Sequence, residues 1–268
     1  MYNFDFHRPS TLRQANGLVG KLADNKLLGG GQTLLPTMKQ RLASPAAVID
    51  LSGIPELVGI EQKGRNLVIG AMTTHAEVAT SALVKAALPG LAALAGGIGD
   101  PHVRNKGTIG GSIANNDPAA DYPGGLLALG ATIVTNKRKI AAAEFFTGMF
   151  STALDEGEII TRVIVPTGAK FAYTKFRNPA SRYAMVGVAV AKKGAKVVVA
   201  ITGAGSDGVF RWADAEAALA KRFNPKALDG VKTPAAKGLN GDIHASAEYR
   251  SHLIGVMTRR AVMAASGK

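Results

Sequence analysis

The spacing of apolar and polar residues divides the chain into three parts. In the first, 1–57, residues 12–22 are patterned as an amphipathic helix, and Leu27-Leu28 reads as the end of a buried strand. Glycines 29, 30 and 31 follow. A helix is expected near Pro36, where proline is tolerated in a first turn, and 47–51 (Ala-Val-Ile-Asp-Leu) reads as a second short strand. Strand, turn, helix and strand make a small α/β unit. In the second part, 58–167, strands are predicted at 66–70, 131–135 and 158–165, the last closed by Pro166. Helices are predicted at 74–84, 90–95 and 122–129, with a glycine-rich interruption over 96–111. The third part, 168–268, predicts successive strands at 172–176, 185–191 and 197–203, with Lys193-Gly194 as a hairpin turn. Helices follow at 214–220 and 245–264. This pattern suits an antiparallel sheet with helices on one face.

Composition narrows the chemistry. Apolar residues make up 47% of the 268 residues and charged residues 19%, enough of both for a cored, soluble protein. No apolar run reaches the ~18 residues of a membrane span, and the first residues lack the pattern of a secretory signal. The chain contains no cysteine, so disulfides, thiolate metal sites and thiol catalysis are excluded within it, and redox chemistry would need a bound organic cofactor. The five histidines show no metal-ligand spacing. The net charge of +13 favours anionic partners: phosphorylated ligands, anionic lipid, an acidic subunit or nucleic acid. A generally solvated basic surface explains it equally well. The dispersed basic residues form no nucleic-acid-binding motif.

Two segments carry candidate chemistry. In Leu28-Gly29-Gly30-Gly31-Gln32-Thr33-Leu34 the glycines permit close backbone approach, and amides in such a turn can form an anion-binding nest. The segment is neither a Walker loop nor a Gly-x-Gly-x-x-Gly fingerprint, and an ordinary glycine turn would look the same. The second, Arg104-Asn105-Lys106-Gly107-Thr108-Ile109-Gly110-Gly111-Ser112, again combines glycines with hydroxyls. It leads into Asn115-Asn116-Asp117-Pro118 and on to Asp121, which either caps the following helix or accepts hydrogen bonds from a ligand hydroxyl. Paired nests suit a ligand with two phosphates held between subdomains. His75 reads as a helix-start residue, and Trp212 and Met149 as packing residues.

The stretch from Gly29 to Pro36 resembles the first FAD loop of the flavin-carrying medium subunits of molybdenum hydroxylases, and Arg104–Ser112 resembles their second. Asp100-Pro101 through Asp121-Tyr122-Pro123 is similar to the aerobic carbon monoxide dehydrogenase group. So are Tyr173–Phe176, Pro179–Ala184 and Ile243–Arg250, in the family's order over almost the whole chain. The resemblance implies an α+β fold: two α/β subdomains of the vanillyl-alcohol-oxidase-like type (1–57 and 58–167) enclosing non-covalent FAD, then a C-terminal domain (168–268). It implies that Gly29, Gly30, Gly31, Gln32, Thr33 and Leu34 line the pyrophosphate, with Thr108, Gly110, Gly111 and Ser112 opposite. Asp121 then lies near the ribityl or ribose part, Ile159 and Ile160 beside the flavin ring, Lys175 at its carbonyl edge and Tyr183 near its face. Read locally, Lys175 is equally a solvated strand lysine and Tyr183 a packing aromatic. The resemblance further implies an electron-relay role in a cytoplasmic complex with a molybdenum-cofactor large subunit and a 2Fe-2S small subunit. A dimer of heterotrimers is expected, with quinone, NAD or oxygen as acceptor, peripheral membrane association as an option, and no nucleic-acid partner. A standalone flavoenzyme and a basic nucleotide- or nucleic-acid-binding module are the rival readings.

Overall fold

The computed structural model describes residues 1–267. Three larger sheets follow one another along the chain, and a two-stranded sheet of β8 (Phe146–Gly148) and β9 (Ser151–Thr152) follows the short helix α9 (Ala142–Phe145). The first is parallel, in the order β1 (Asp5–His7), β3 (Ala47–Asp50), β2 (Asn25–Leu28), with α1 (Leu12–Lys21) and α2 (Leu34–Lys39) in the connections. Thr11 caps α1 by accepting from the Gln14 amide. β3 is buried throughout because it pairs on both edges, Val48 standing opposite Phe6 on one side and Lys26 on the other. Ala15, Ile49 and Leu51 of this unit share a cluster with Met72 and Ile159 of the next, which joins the two units.

The second sheet is antiparallel, ordered β4 (Ile60–Lys63), β5 (Asn66–Gly70), β10 (Ile160–Pro166), β6 (Thr132–Thr135), β7 (Lys139–Ala141). Val163 pairs with Ile69 on one side and Ile133 on the other, so β10 forms the sheet's centre. Its core is filled from α3 (His75–Thr80), α4 (Ala82–Ala87), α5 (Pro89–Gly96), α7 (Ile109–Asn115) and α8 (Asp121–Leu129), with Leu91, Leu94, Ile113 and Leu126 fully buried. The long helix expected at 74–84 is two short ones, because Ser81 ends the first and caps the second by accepting from the Val84 amide. The glycine-rich 96–111 segment, expected to be irregular, contains α6 (Pro101–Lys106) and the start of α7. Asp100 caps α6 and Thr108 caps α7, the latter offsetting the poor helix propensity of Gly110 and Gly111.

The third sheet is antiparallel: β11 (Lys170–Arg177), β12 (Ala184–Lys193), β13 (Lys196–Thr202), β14 (Phe210–Arg211). Val186, Val188 and Val190 pack on α10 (Ala213–Lys221) and α11 (Ala247–Ala265). Ala189 and Ala191, on the alternate face, join the core beneath α5 and α8. The chain's own C-terminal helices therefore take one face, as the pattern predicted, and the second unit covers the other. Gly124 permits this approach, since a Cβ there would lie 2.7 Å from Thr202 Cγ2. The buried Arg250 locks the C-terminal helix to the sheet, donating to the Met185 and Gly203 carbonyls and to Asp242. Among the described residues no helix is long and apolar enough to cross a membrane.

Candidate functional site

β2 ends at Leu28, opposite Asp50, and the chain turns through Gly29, Gly30 and Gly31 before α2 begins at Leu34. Gly31 has φ +70°, the left-handed region that favours glycine. The turn's first internal bond is Leu35 N–H to the Gly31 carbonyl, 3.2 Å. Among the described residues, the amides of Gly30, Gly31, Gln32 and Thr33 donate to no protein acceptor. Free amides in consecutive positions can bind an anion without titrating.

The second segment is held by backbone bonds to 71–75. Gly110 N–H donates to the Ala71 carbonyl (2.8 Å), Ile109 N–H to Thr73 (3.1 Å) and His75 N–H to Gly107 (2.9 Å). Gly111 N–H is taken by Thr108 Oγ1 and Ser112 N–H by the Thr108 carbonyl. The amides of Ile109, Gly110, Gly111 and Ser112 are therefore satisfied within the fold, and Thr108 N–H alone in 107–112 meets no acceptor among the described residues, so this segment does not form a second run of free amides. Its residues in the cavity lining are Gly107, Thr108, Gly111 and Ser112. The two segments touch: a Cβ on Gly30 would lie 2.6 Å from Gly107 Cα, and one on Gly29 3.1 Å from Thr108 Oγ1.

Between them opens a cavity of about 820 Å³ that runs from Lys26 and the first loop, past His75 and Thr108, to Asp121, Ser181 and Tyr183. Asp121 does not cap α8, whose cap is Ala120 with no side-chain bond. Its carboxylate instead accepts from Lys175 Nζ at 2.9 Å and from the Tyr173 hydroxyl at 2.5 Å. Burial pushes the Asp121 carboxyl up and the Lys175 ammonium down, and the opposite charge of each partner opposes both shifts. The Tyr183 hydroxyl accepts from Asn178 Nδ2 at 3.2 Å, and its ring meets His244 edge-on at 6.5 Å between centroids.

The structure thus brings Gly29–Leu34, Thr108, Gly111, Ser112, Asp121 and Tyr183 to one cavity. Four expected contacts fall outside its lining. Gly110 is turned onto Ala71, where a Cβ would lie 2.7 Å from the carbonyl oxygen. Ile159 is buried in the first unit's cluster and Ile160 in the second's, because alternate residues at the start of β10 point to opposite faces. Lys175 is turned onto Asp121 with its side chain only 3% exposed, so it is not a solvated lysine, and it does not line the cavity. Conversely His75, Val103, Gly107, Asn115, Asp117 and Ser181 line the cavity without having been singled out as ligand contacts. For His75 the only local sign is its place after the Thr73-Thr74 cap, which marks a helix start and says nothing of what lies across the fold. The volume and the free amides suit a large ligand bearing a diphosphate.

Comparison with known proteins agrees with this chemistry. Residues 2–168 match a family model described as the FAD binding domain in molybdopterin dehydrogenase, and residues 171–265 match the CO dehydrogenase flavoprotein C-terminal domain. The chain is 37% identical to the carbon monoxide dehydrogenase medium chain of Hydrogenophaga pseudoflava, over 98% of this chain and 96% of that one. It is 36% identical to the nicotine 6-hydroxylase medium subunit of Paenarthrobacter nicotinovorans, over 97% and 96% respectively. Its structure superposes on the reconstituted CO dehydrogenase of Oligotropha carboxidovorans with a TM-score of 0.89 at 34% identity, covering 99% of this chain and 98% of the other.

Proposed function

We propose, since this chain belongs to the family of FAD-binding subunits of molybdenum hydroxylases, that it relays electrons from an iron–sulfur partner subunit to a terminal acceptor. Substrate oxidation is assigned to a molybdenum-containing partner. The chain is an FAD-binding oxidoreductase subunit, and bound FAD supplies the coupling of one-electron donors to a two-electron acceptor.

The observation that carries the reading is the run of unpartnered amides at Gly30, Gly31, Gln32 and Thr33, closed over by the Thr108–Ser112 segment. In the proposal these amides hold the diphosphate, with Thr108 and Ser112 adding hydroxyl donors from the opposite wall. Asp121 faces the cavity as an acceptor for a ligand hydroxyl and is fixed by Lys175 and Tyr173. Lys175 acts on the cavity through that carboxylate rather than by lining it. Tyr183 closes the far end, its orientation set by Asn178. Excluding water at that end strengthens each of these interactions. The excess of basic residues gives the protein a field that draws acidic partner subunits.

The test is the absorbance spectrum of the purified protein with and without added FAD, followed by release and identification of the flavin. A bound flavin released without proteolysis is expected, together with copurification of two further subunits. A protein that takes up no flavin would overturn the reading. So would flavin bleached by substrate with no partner subunit present, since that would place the oxidation in this chain.

A further inference from the structure

We propose that His75 is a ligand-binding residue of this cavity, its Nε2–H donating a hydrogen bond to the phosphate-bearing part of the bound flavin cofactor; the inference rests on the reading that the cavity holds FAD. His75 lines the cavity between the first loop and Thr108, yet only 4% of the residue is exposed. No hydrogen bond within the described residues reaches either imidazole nitrogen, and Nδ1 is completely buried without a partner. A buried polar atom left unpaired costs free energy, and a leucine or phenylalanine would fill the same space without that cost. That cost stays with Nδ1 whatever binds, so the use of a histidine here lies with Nε2, which unlike Nδ1 is not fully buried and belongs to a residue of the cavity lining.

The ring is also fixed in place before any ligand arrives. The backbone N–H of His75 donates to the Gly107 carbonyl at 2.9 Å, and Thr74 and Glu77 form a reciprocal capping box around the start of α3. The Tyr122 ring lies 5.4 Å from the imidazole centroid, tilted by 51°. On the other side the imidazole presses on Gly107 so closely that a Cβ there would stand 2.6 Å from Nε2. This contact gives Gly107 its own reason to be glycine and leaves Nε2 beside the backbone that leads into Thr108. Burial, and after it the charge of Arg104, lowers the His75 pKa to about 4. At neutral pH the imidazole is uncharged, with one N–H and one lone pair. Because Nδ1 has no protein donor or acceptor to fix the tautomer, the group that meets Nε2 sets it. A phosphate oxygen only accepts, and so selects the Nε2–H form.

Two measurements on the full-length protein test this. In the first, FAD is titrated into apoprotein and flavin fluorescence is followed for wild type, His75→Ala and His75→Gln. His75→Ala should bind about ten- to hundredfold more weakly, the range for losing a hydrogen bond to a charged group. His75→Gln, which keeps an N–H donor, should recover most of that loss. In the second, the histidine ring nitrogens of the wild-type protein are followed by 15N NMR as FAD is added, which needs no variant to fold. The His75 Nε2 resonance should move, with its proton on Nε2 in the complex. Unchanged affinity in a folded His75→Ala, or an unmoved His75 resonance in wild type saturated with FAD, overturns the proposal. Failure of the wild type to bind FAD at all would instead strike the reading on which it rests.

Discussion

A Cβ placed on Gly30 stands 2.0 Å from the carbonyl oxygen of Lys106. The first loop and the Thr108 segment thus meet backbone to backbone beside the cavity that both line. Gly30→Ala must push them apart. The expected cost is about 1–3 kcal/mol of stability, the usual range for overpacking, with FAD affinity lowered by at least about tenfold. Gly17→Ala is the control: it lies within α1 with nothing inside 4 Å of its Cβ position. That substitution should gain about 0.5–1 kcal/mol and leave FAD binding unchanged. Urea midpoints and flavin titration check both, and wild-type affinity in Gly30→Ala would show that the contact does not organise the cavity.

The pairing of Asp121 with Lys175 makes a second prediction. Both side chains are almost fully buried, at 5% and 3% exposure. Lys175→Met strands a carboxylate away from water, and breaking such a pair from one side costs about 3–5 kcal/mol. The double variant Asp121→Asn with Lys175→Met removes both charges and should recover a large part of that loss. Urea denaturation of the two variants decides. A cost below about 1 kcal/mol for Lys175→Met would mean that the pair behaves as an exposed one.

These two relationships also show what a linear sequence conveys. The strands and most long helices follow from apolar spacing, because burial of one face leaves a period in the chain. The first loop was legible for a similar reason: Gly29, Gly30 and Gly31 sit directly after a strand, and their role is local. Helices α6 and α7 were obscured because Gly107, Gly110 and Gly111 signal a break. Asp100 before Pro101, and Thr108 three residues before Gly111, were nonetheless present as cap signals. Gly110 serves contact with Ala71, across the fold, rather than a turn. The Asp121–Lys175 pair had no local trace, since a helix start and a mid-strand residue meet only once α8 lies on β12 and β13, next to β11. The burial of Ile159 and Ile160 on opposite faces likewise depends on where β10 begins, the least certain feature of any strand read from sequence.

Phe150 carries a different kind of prediction. It occupies the left-handed region with φ +52°, and the residue is 57% exposed. That backbone conformation costs a side-chain-bearing residue about 1–2 kcal/mol. Its N–H donates to the Asn116 carbonyl at 3.1 Å, a bond that glycine would keep. Phe150→Gly should therefore raise stability by about 0.5–1 kcal/mol after the added freedom of the unfolded chain is subtracted. Phe150→Ala should give no such gain, because it retains the strained Cβ. Equal thermal midpoints for the two variants would rule out backbone strain as the cause.

Protonation of His75 should be visible in stability itself. Its pKa falls from 6.5 in the unfolded chain to about 4 in the fold, through burial first and then the Arg104 charge; the Tyr122 ring packed beside it adds no charge. As pH drops through 6.5 the unfolded chain takes up a proton that the folded protein refuses until about 4. Stability is then greatest above 6.5 and drains between 6.5 and 4, by about 3 kcal/mol in total for a shift of that size. Glu158 acts in a lower window. The Arg138 hydrogen bond holds its pKa at about 2 against 4.5, so its contribution is lost between 4.5 and 2. His75→Gln should flatten the upper window and leave the lower one in place, as read from urea midpoints of the apoprotein at half-unit pH steps. If wild type and His75→Gln lose stability at the same rate between pH 6.5 and 4.5, the imidazole is not held neutral by the fold, and its protonation is governed by solvent rather than by the cavity wall.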